Sequence, residues 1–237
     1  MFGFKKKLSD IDLAAAVKAE AAKFFSGKQG SHDWDHTLRV LENCRAIGKE
    51  LGADMVTLEL AAYLHDTGRA EESKSRGKVS HAQIGAETAQ KILKKLGADK
   101  ERISVVVHCV EYHRSKDDLV PESLEAKILF DADKLDALGA VGIARLFLFA
   151  NEVGAGLHNK ETDLAKTDAY SSEDTAFREF YLSDRFLKEK MMTDTGKRLA
   201  TARHDFMVEY FAHLFEEVGA SKEFFIMLDE IRSIPRN

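Results

Sequence analysis

His65 and Asp66 stand side by side at the close of an apolar stretch, AAYLHDTG, with His36 upstream and the acidic run DADKLD downstream. Imidazole nitrogens and carboxylate oxygens are the ligands that a hydrolytic divalent cation takes from a protein. Each must leave water to serve, so such a set costs stability unless an ion or a polar partner satisfies it. An HD dipeptide alone carries little; its weight comes from its place at the end of a buried helix, with matching donors on two other helices. Neighbouring helix residues point about 100° apart. His65 and Asp66 therefore reach one ion only where the helix ends, and Thr67-Gly68 supplies that turn, with Gly68 expected in the left-handed conformation that closes helices.

His36 belongs to SHDWDHTLRV, where His32 and His36 lie one helical turn apart, itself a metal-ligand spacing. The alternative for either is a hydrogen-bonded histidine with no ligand role. Around Asp133 the chain reads as a helix apolar on nearly all sides, hence buried. Asp131, Asp133, Asp136 and Lys134 within it then need partners, either one another or something bound. His81, His108 and His113 form a second tier. His81 opens a helix near the positive end of its dipole, which favours a neutral ring suited to a ligand or base. His108 lies in an apolar run and reads as structural, while His113 ends its helix beside Arg114.

Helices must position these groups, because the apolar residues recur with helical period and no period-two strand of useful length occurs. The pattern predicts a first helix over about Asp10 to Phe25 carrying Ile11, Leu13, Val17 and Phe24, and a second from Asp33, whose side chain caps it. A third covers Met55 to His65. Arg69 to Val79 is charged and aperiodic and reads as a mobile loop. Ser80 and Gln83 fit a capping box that opens a helix at His81, and a fifth helix ends at His113. A long helical segment follows Pro121 and continues past Arg145. After a polar stretch over 154–171, helices are expected over about 173–191 and 195–218, with a short tail helix. The expectation is one all-α domain over residues 1–237, with a metal-binding core at about 31–150 and C-terminal helices at about 172–232 packed as a cap. Phe211, Leu214, Phe224 and Phe225 are expected to be exposed, covering the domain or meeting a second subunit in a homodimer.

Composition narrows the class. The chain has 237 residues, 44% hydrophobic and 32% charged, enough for one substantial core and unlike a disordered chain. The net charge of −5, without a dominant basic block, disfavours nucleic acid as the main partner but leaves room for a small anionic ligand in a local basic pocket. Cys44 and Cys109 lack CxxC spacing and read as buried thiols of a reducing compartment. MFGFKKKLSD does not read as a signal peptide, and VGIARLFLFANEVG is too short, and interrupted by Arg145, for a membrane span. The chain reads as a cytoplasmic protein with no membrane partner.

The order His36, His65-Asp66, Asp133 resembles the HD-domain superfamily of metal-dependent phosphohydrolases over about Ser31 to Arg145. The strings HDWDHTLRV, LAAYLHD, DADKLDALGAVGIAR and MMTDTGKRLATARHDFM resemble those of a bacterial subgroup of nucleotide pyrophosphohydrolases, extending the likeness over most of the chain. This resemblance implies an HD-type helical bundle and a divalent cation, Mn²⁺ or Mg²⁺ first and Fe, Ni, Co or Zn as alternatives, held by His36, His65, Asp66 and Asp133. Asp133 is preferred over Asp131 from the local string Ala-Asp-Lys-Leu, and Asp131 remains its rival. Lys134 matches a position that contacts substrate phosphate in related triphosphohydrolases.

The implied reaction is hydrolysis of a small phosphorylated substrate, a (deoxy)nucleoside triphosphate or related phosphate ester, by a metal-activated water. His81 or Glu71 is the candidate for handling protons or positioning the leaving group, and Arg69, Lys74 and Arg76 could add to an anion clamp. Two other classes stay open. His81 and His113 stand in suitable order for the di-iron HD oxygenases, and an HD fold can also serve as a non-catalytic ligand sensor. The absence of a GYP string, and Arg114 after His113, turn the reading away from cyclic dinucleotide hydrolysis.

Overall fold

The computed structural model describes residues 8–25, 33–75, 78–114, 120–160 and 162–233. Among them the regular elements are helices, with no strand, so the all-α expectation holds. The chain forms two compact units, Met1–Asp133 and Lys134–Asn237, whose boundary falls in the last turn of one helix.

The first unit opens with α1 (Asp10–Ala22), whose N-cap Ser9 accepts from Asp12 N. It buries Leu13, Val17 and Ala21, but Ile11, expected on the same stripe, is 83% exposed. In α2 (Trp34–Leu51) the Asp33 side chain accepts from His36 N, and Gly52 at φ +68° ends the helix. In α3 (Met55–Leu64) Asp54 caps the start by accepting from Val56 N and Thr57 N. Leu58, Leu60, Ala61, Ala62 and Leu64 are all fully enclosed, so α3 is the central helix, packed against α1, α2 and α6. Each enclosed leucine contributes roughly 1.5–3 kcal/mol by leaving water, which fixes where α3 ends and hence where His65 and Asp66 stand.

The segment expected to be a loop instead begins with a short helix, α4 (Arg69–Lys74). Acidic Glu71 and Glu72 lie in its first turn, and Arg69 donates to Glu72 three residues on, local charge pairing that holds one or two turns. Gly68 is not left-handed: its φ is −90°. Its lack of a side chain matters for space, since a Cβ there would sit 2.2 Å from the His81 carbonyl oxygen. Glycine thus lets the turn after Asp66 lie directly on the start of α5 (His81–Leu96). That helix begins at His81 as expected, but the Ser80 hydroxyl makes no cap and instead accepts from Arg114 Nη1 at 3.4 Å. Packed on α5 is α6 (Lys100–Tyr112), capped by Asp99 and ending at His113. The long segment expected after Pro121 is two helices, the first being α7 (Leu124–Leu135). Buried Asn43 of α2 donates to the Ala132 carbonyl at 3.0 Å and ties α7 to α2 one residue before Asp133.

In the second unit, α8 (Gly139–Glu152) restarts the helix after a break at residues 136–138, where Gly139 adopts φ +76°. Asp136, nearly fully buried in that break, accepts from Arg145 at 2.9 Å, so one aspartate of the acidic run has a structural partner. Arg203 donates to the Leu135 carbonyl at 2.6 Å. The remaining elements are 3-10 turns at Leu164–Lys166 and Asp184–Lys190, and helices α9 (Ala176–Leu182), α10 (Asp194–Glu217) and α11 (Lys222–Ser233). Phe211 and Phe224, expected to be exposed, are buried: with Phe177, Phe180 and Phe215 they form an aromatic core, Phe177 lying 4.6–6.4 Å between centroids from the other four. No helix among the described residues is long and apolar enough to cross a membrane.

Candidate metal centre

The ends of α3 and α6 and the starts of α2 and α5 deliver four histidines to one buried carboxylate, Asp66. Oδ2 of Asp66 stands 3.6 Å from His36 Nε2 and 3.7 Å from His65 Nε2. Its other oxygen, Oδ1, stands 3.5 Å from His81 Nε2 and 3.6 Å from His113 Nε2. Two triads result, His36–His65–Asp66 and Asp66–His81–His113, each with its ligand atoms within 4.8 Å of one another and all members buried. Asp133 approaches the first triad from α7, with Oδ1 3.3 Å from His36 Nε2. Asp131, also buried, lies two residues earlier, about 200° round the same helix.

Hydrogen bonds to the outer ring nitrogens determine what the inner ones offer. His65 donates from Nδ1 to the Ala62 carbonyl at 2.8 Å, and His113 from Nδ1 to the Val110 carbonyl at 2.6 Å. His81 donates from Nδ1 to Glu72 Oε2 at 2.9 Å. With Nδ1 engaged outward, each of these rings turns its Nε2 inward. Burial lowers the His65 pKa to about 4, and burial with the Arg69 charge lowers that of His81 to about 3. Two inward nitrogens, His81 Nε2 and His113 Nε2, lie 3.2 Å apart, and His65 Nε2 lies 3.3 Å from His36 Nε2. Lone pairs do not face each other at that distance unless a proton or a cation lies between them. The donor set therefore fits a metal ion, with imidazoles oriented by outer hydrogen bonds in the manner of metal ligands.

An outer layer of charge surrounds this set. Arg69 donates from Nε to Asp66 Oδ1 at 2.8 Å and from Nη1 to Glu72 Oε2 at 3.2 Å, and Arg114 pairs with Glu72 Oε1 at 3.0 Å. Burial would raise the Glu72 pKa, but the His81 bond and the two arginines hold it below the usual carboxylate range. Cys44 is buried near Asp131 and Asp133; burial first, then Cys109 and these carboxylates, push its thiol well above the usual range, so it stays protonated.

The sequence-derived candidates fall into two groups. His36, His65, Asp66, Asp133 and His81 come together. Glu71 does not join them: its nearest ion-pair contact is Lys74 at 3.8 Å, and the carboxylate facing His81 belongs to the next residue, Glu72. Lys134 follows Asp133 on α7 and is half-buried. Lys74 is exposed, whereas Arg69 lies against Asp66. His108 lies outside the cluster, accepting from Glu122 N at 3.3 Å and packing on Tyr112. His32 and Arg76 lie outside the described residues. Glu72 and Asn43 escaped the sequence reading because single polar residues on helices give no periodic signal, and Arg114 was noted only as the residue after His113, just past the end of α6.

Comparison with known proteins adds three findings. A family model described as HD domain matches residues 33–138. The uncharacterized protein YpgQ of Bacillus subtilis is 30% identical over 219 residues, spanning 89% of this chain and 96% of its own length. Its crystal structure in complex with ADP matches with a TM-score of 0.68, covering 89% of this chain and 97% of that one. An HD-superfamily hydrolase from Bacillus thuringiensis matches with a TM-score of 0.69 at 25% identity, over 90% of this chain and all of the other.

Proposed function

This chain belongs to the HD-domain superfamily, and we propose that it is a metal-dependent phosphohydrolase acting on nucleotides, by pyrophosphohydrolysis of (deoxy)nucleoside triphosphates. The observation that carries the reading is the convergence of four imidazole Nε2 atoms on the two oxygens of buried Asp66, with Asp133 beside His36. ADP in the crystal structure of the similar YpgQ supports a nucleotide as the ligand class.

In this reading His36, His65, Asp66 and Asp133 hold the cation, with Mn²⁺ or Mg²⁺ as the preferred ion. Bound there, such an ion supplies Lewis acidity and makes a water molecule acidic near neutral pH. The protein's own groups do the rest. Ala62 and Asp33, through His65 Nδ1 and the His36 backbone, fix the direction of two imidazoles. Arg69 holds Asp66 by Oδ1 and brings positive charge beside the site, where it can meet a phosphoryl oxygen. His81, with its proton placed on Nδ1 by Glu72, offers Nε2 as an acceptor for a proton of the attacking water. Lys134 completes the reading as a contact for substrate phosphate.

The second triad supports a second reading. Asp66, His81 and His113 could hold a further cation beside the first, and a pair of irons would supply oxidation by O₂ there. Metal analysis of the purified chain, together with turnover across a panel of nucleoside triphosphates with Mn²⁺, separates the two. One ion per chain and release of pyrophosphate is the expected result. Two tightly held irons without turnover of any phosphorylated substrate would replace hydrolysis with the oxygenase.

A further inference from the structure

The two oxygens of Asp66 are not equivalent. Oδ2 faces His36 and His65, and Asp133 stands beside His36, so that side of the centre has a second carboxylate. Oδ1 faces His81 Nε2 at 3.5 Å and His113 Nε2 at 3.6 Å, and those nitrogens lie 3.2 Å apart. The same oxygen accepts from Arg69 Nε at 2.8 Å. The carboxylate of the second triad is therefore shared with the first triad and already paired with a guanidinium.

That guanidinium is held in place by a network behind the histidines. Arg69 opens α4, three residues after Asp66, and its Nη1 donates to Glu72 Oε2 at 3.2 Å. Glu72 in turn accepts from His81 Nδ1 at 2.9 Å and pairs with Arg114 at 3.0 Å. Arg114 Nη1 also reaches the hydroxyl of Ser80, directly before His81, at 3.4 Å. A carboxylate behind an imidazole raises its basicity towards a metal ion; here that charge is divided between two guanidiniums and the ring. The Arg69 side chain is 25% exposed and that of Asp66 fully buried, so little water screens the charge between them.

A divalent cation on Oδ1 would share that oxygen with a fixed positive charge, and like charges placed together in a dry site are strongly disfavoured. On the Oδ2 side the same cation meets two carboxylates and no guanidinium bond. We propose that Arg69 stands in for a second cation. Its guanidinium limits the centre to one divalent ion, on the side of His36, His65, Asp66 and Asp133, and leaves His81 and His113 without a metal bond. This rests on the metal-centre reading proposed above and selects its one-ion form over its two-ion form.

Titration of the chelator-treated protein with Mn²⁺, followed by the paramagnetic resonance signal of the free ion, counts the ions bound per chain. The wild type is expected to bind one ion tightly and a second only at far higher concentration. Arg69→Met removes the charge and is expected to strengthen the second site roughly tenfold or more, with the spectrum of a coupled ion pair. Arg69→Lys keeps the charge and is expected to remain a one-ion protein, which separates charge from packing. Adding His81→Phe to Arg69→Met should remove the gained ion. Should Arg69→Met fail to fold, Arg69→Gln takes its place.

Two ions, Mn²⁺ or iron, held with comparable affinity by the wild type overturn the proposal. So does a second site in Arg69→Met no stronger than in the wild type, or one strengthened equally in Arg69→Lys. The count is made without substrate. One ion per chain with no turnover of any nucleotide would remove the hydrolytic reading and leave the role of Arg69 standing.

Discussion

Arg69 donates from Nε to Oδ1 of Asp66 at 2.8 Å, leaving Oδ2 to the His36 and His65 side. This bond turns the carboxylate and also links it, through Arg69 Nη1, to Glu72 and so to His81. Outer partners of this kind set ligand direction, and losing one commonly costs about 10–100-fold in metal affinity. Arg69→Lys keeps a charge but not the planar fork. We expect metal affinity to fall within that range, measured by competition with a chromophoric chelator. Unchanged affinity would mean that the backbone turn alone orients Asp66.

Removing a ligand should cost more than removing its support. Asp66→Asn takes away the one carboxylate common to both triads, so its metal affinity should fall further than that of Arg69→Lys, and hydrolysis with it. The bound ion should also stabilise the fold. At 100 times its dissociation constant a ligand specific to the native state contributes about 2.7 kcal/mol. Mn²⁺ is therefore expected to raise the unfolding midpoint of the chelator-treated protein and to leave that of Asp66→Asn nearly unmoved. A similar rise in both would place the stabilising ion elsewhere.

Gly68→Ala tests the close contact that joins the two triads. A Cβ at that position would lie 2.2 Å from the His81 carbonyl and 2.9 Å from Gly85 N. Both are backbone atoms and cannot swing aside, so the start of α5 must shift. The expected loss is on the order of 1–3 kcal/mol in chemical unfolding, in the range of overpacked interiors. His81 and its bond to Glu72 should be displaced with it. Wild-type stability together with unaltered metal affinity would show that the turn adjusts freely.

His204 is expected to make the protein sensitive to acid. Its ordinary pKa near 6.5 is lowered to about 4 in the folded chain. Between those values the unfolded chain binds a proton that the folded chain does not, so stability falls as pH drops from about 6.5 towards 4. Above 6.5 the contribution is fully present. Its size is on the order of 1–3 kcal/mol. Denaturant unfolding at pH 7.5 and pH 5, with metal saturating, should show a smaller loss for His204→Phe than for the wild type, since His204 is buried on α10 with neither ring nitrogen hydrogen-bonded among the described residues. Equal losses would assign the acid sensitivity to other groups.

Much of the fold was readable in the chain because helix signals are local. Asp33 caps α2 through a residue three positions away, and Asp54 and Asp99 cap their helices within the same span. The apolar run before His65 marked α3 as an enclosed helix, which the structure makes central. Reading failed where a helix was short and charged, as at Arg69–Lys74, and where one long pattern concealed the break before Gly139. Phe211 and Phe224 were misplaced because a helix's inward face depends on what packs against it, here Phe177.

At the site the same division holds. The sequence by itself determined which residues could be ligands and that His65 and Asp66 sit at a helix end, since these follow from residue type and from contacts within one turn. Only the tertiary structure decided that His81 and His113, from two further helices, meet Asp66 Oδ1, and that Glu72 rather than Glu71 faces His81. One residue along a helix is a rotation of about 100°. The choice between adjacent glutamates is therefore made by how α4 lies on α5, a contact that Gly68 permits and that no local pattern encodes.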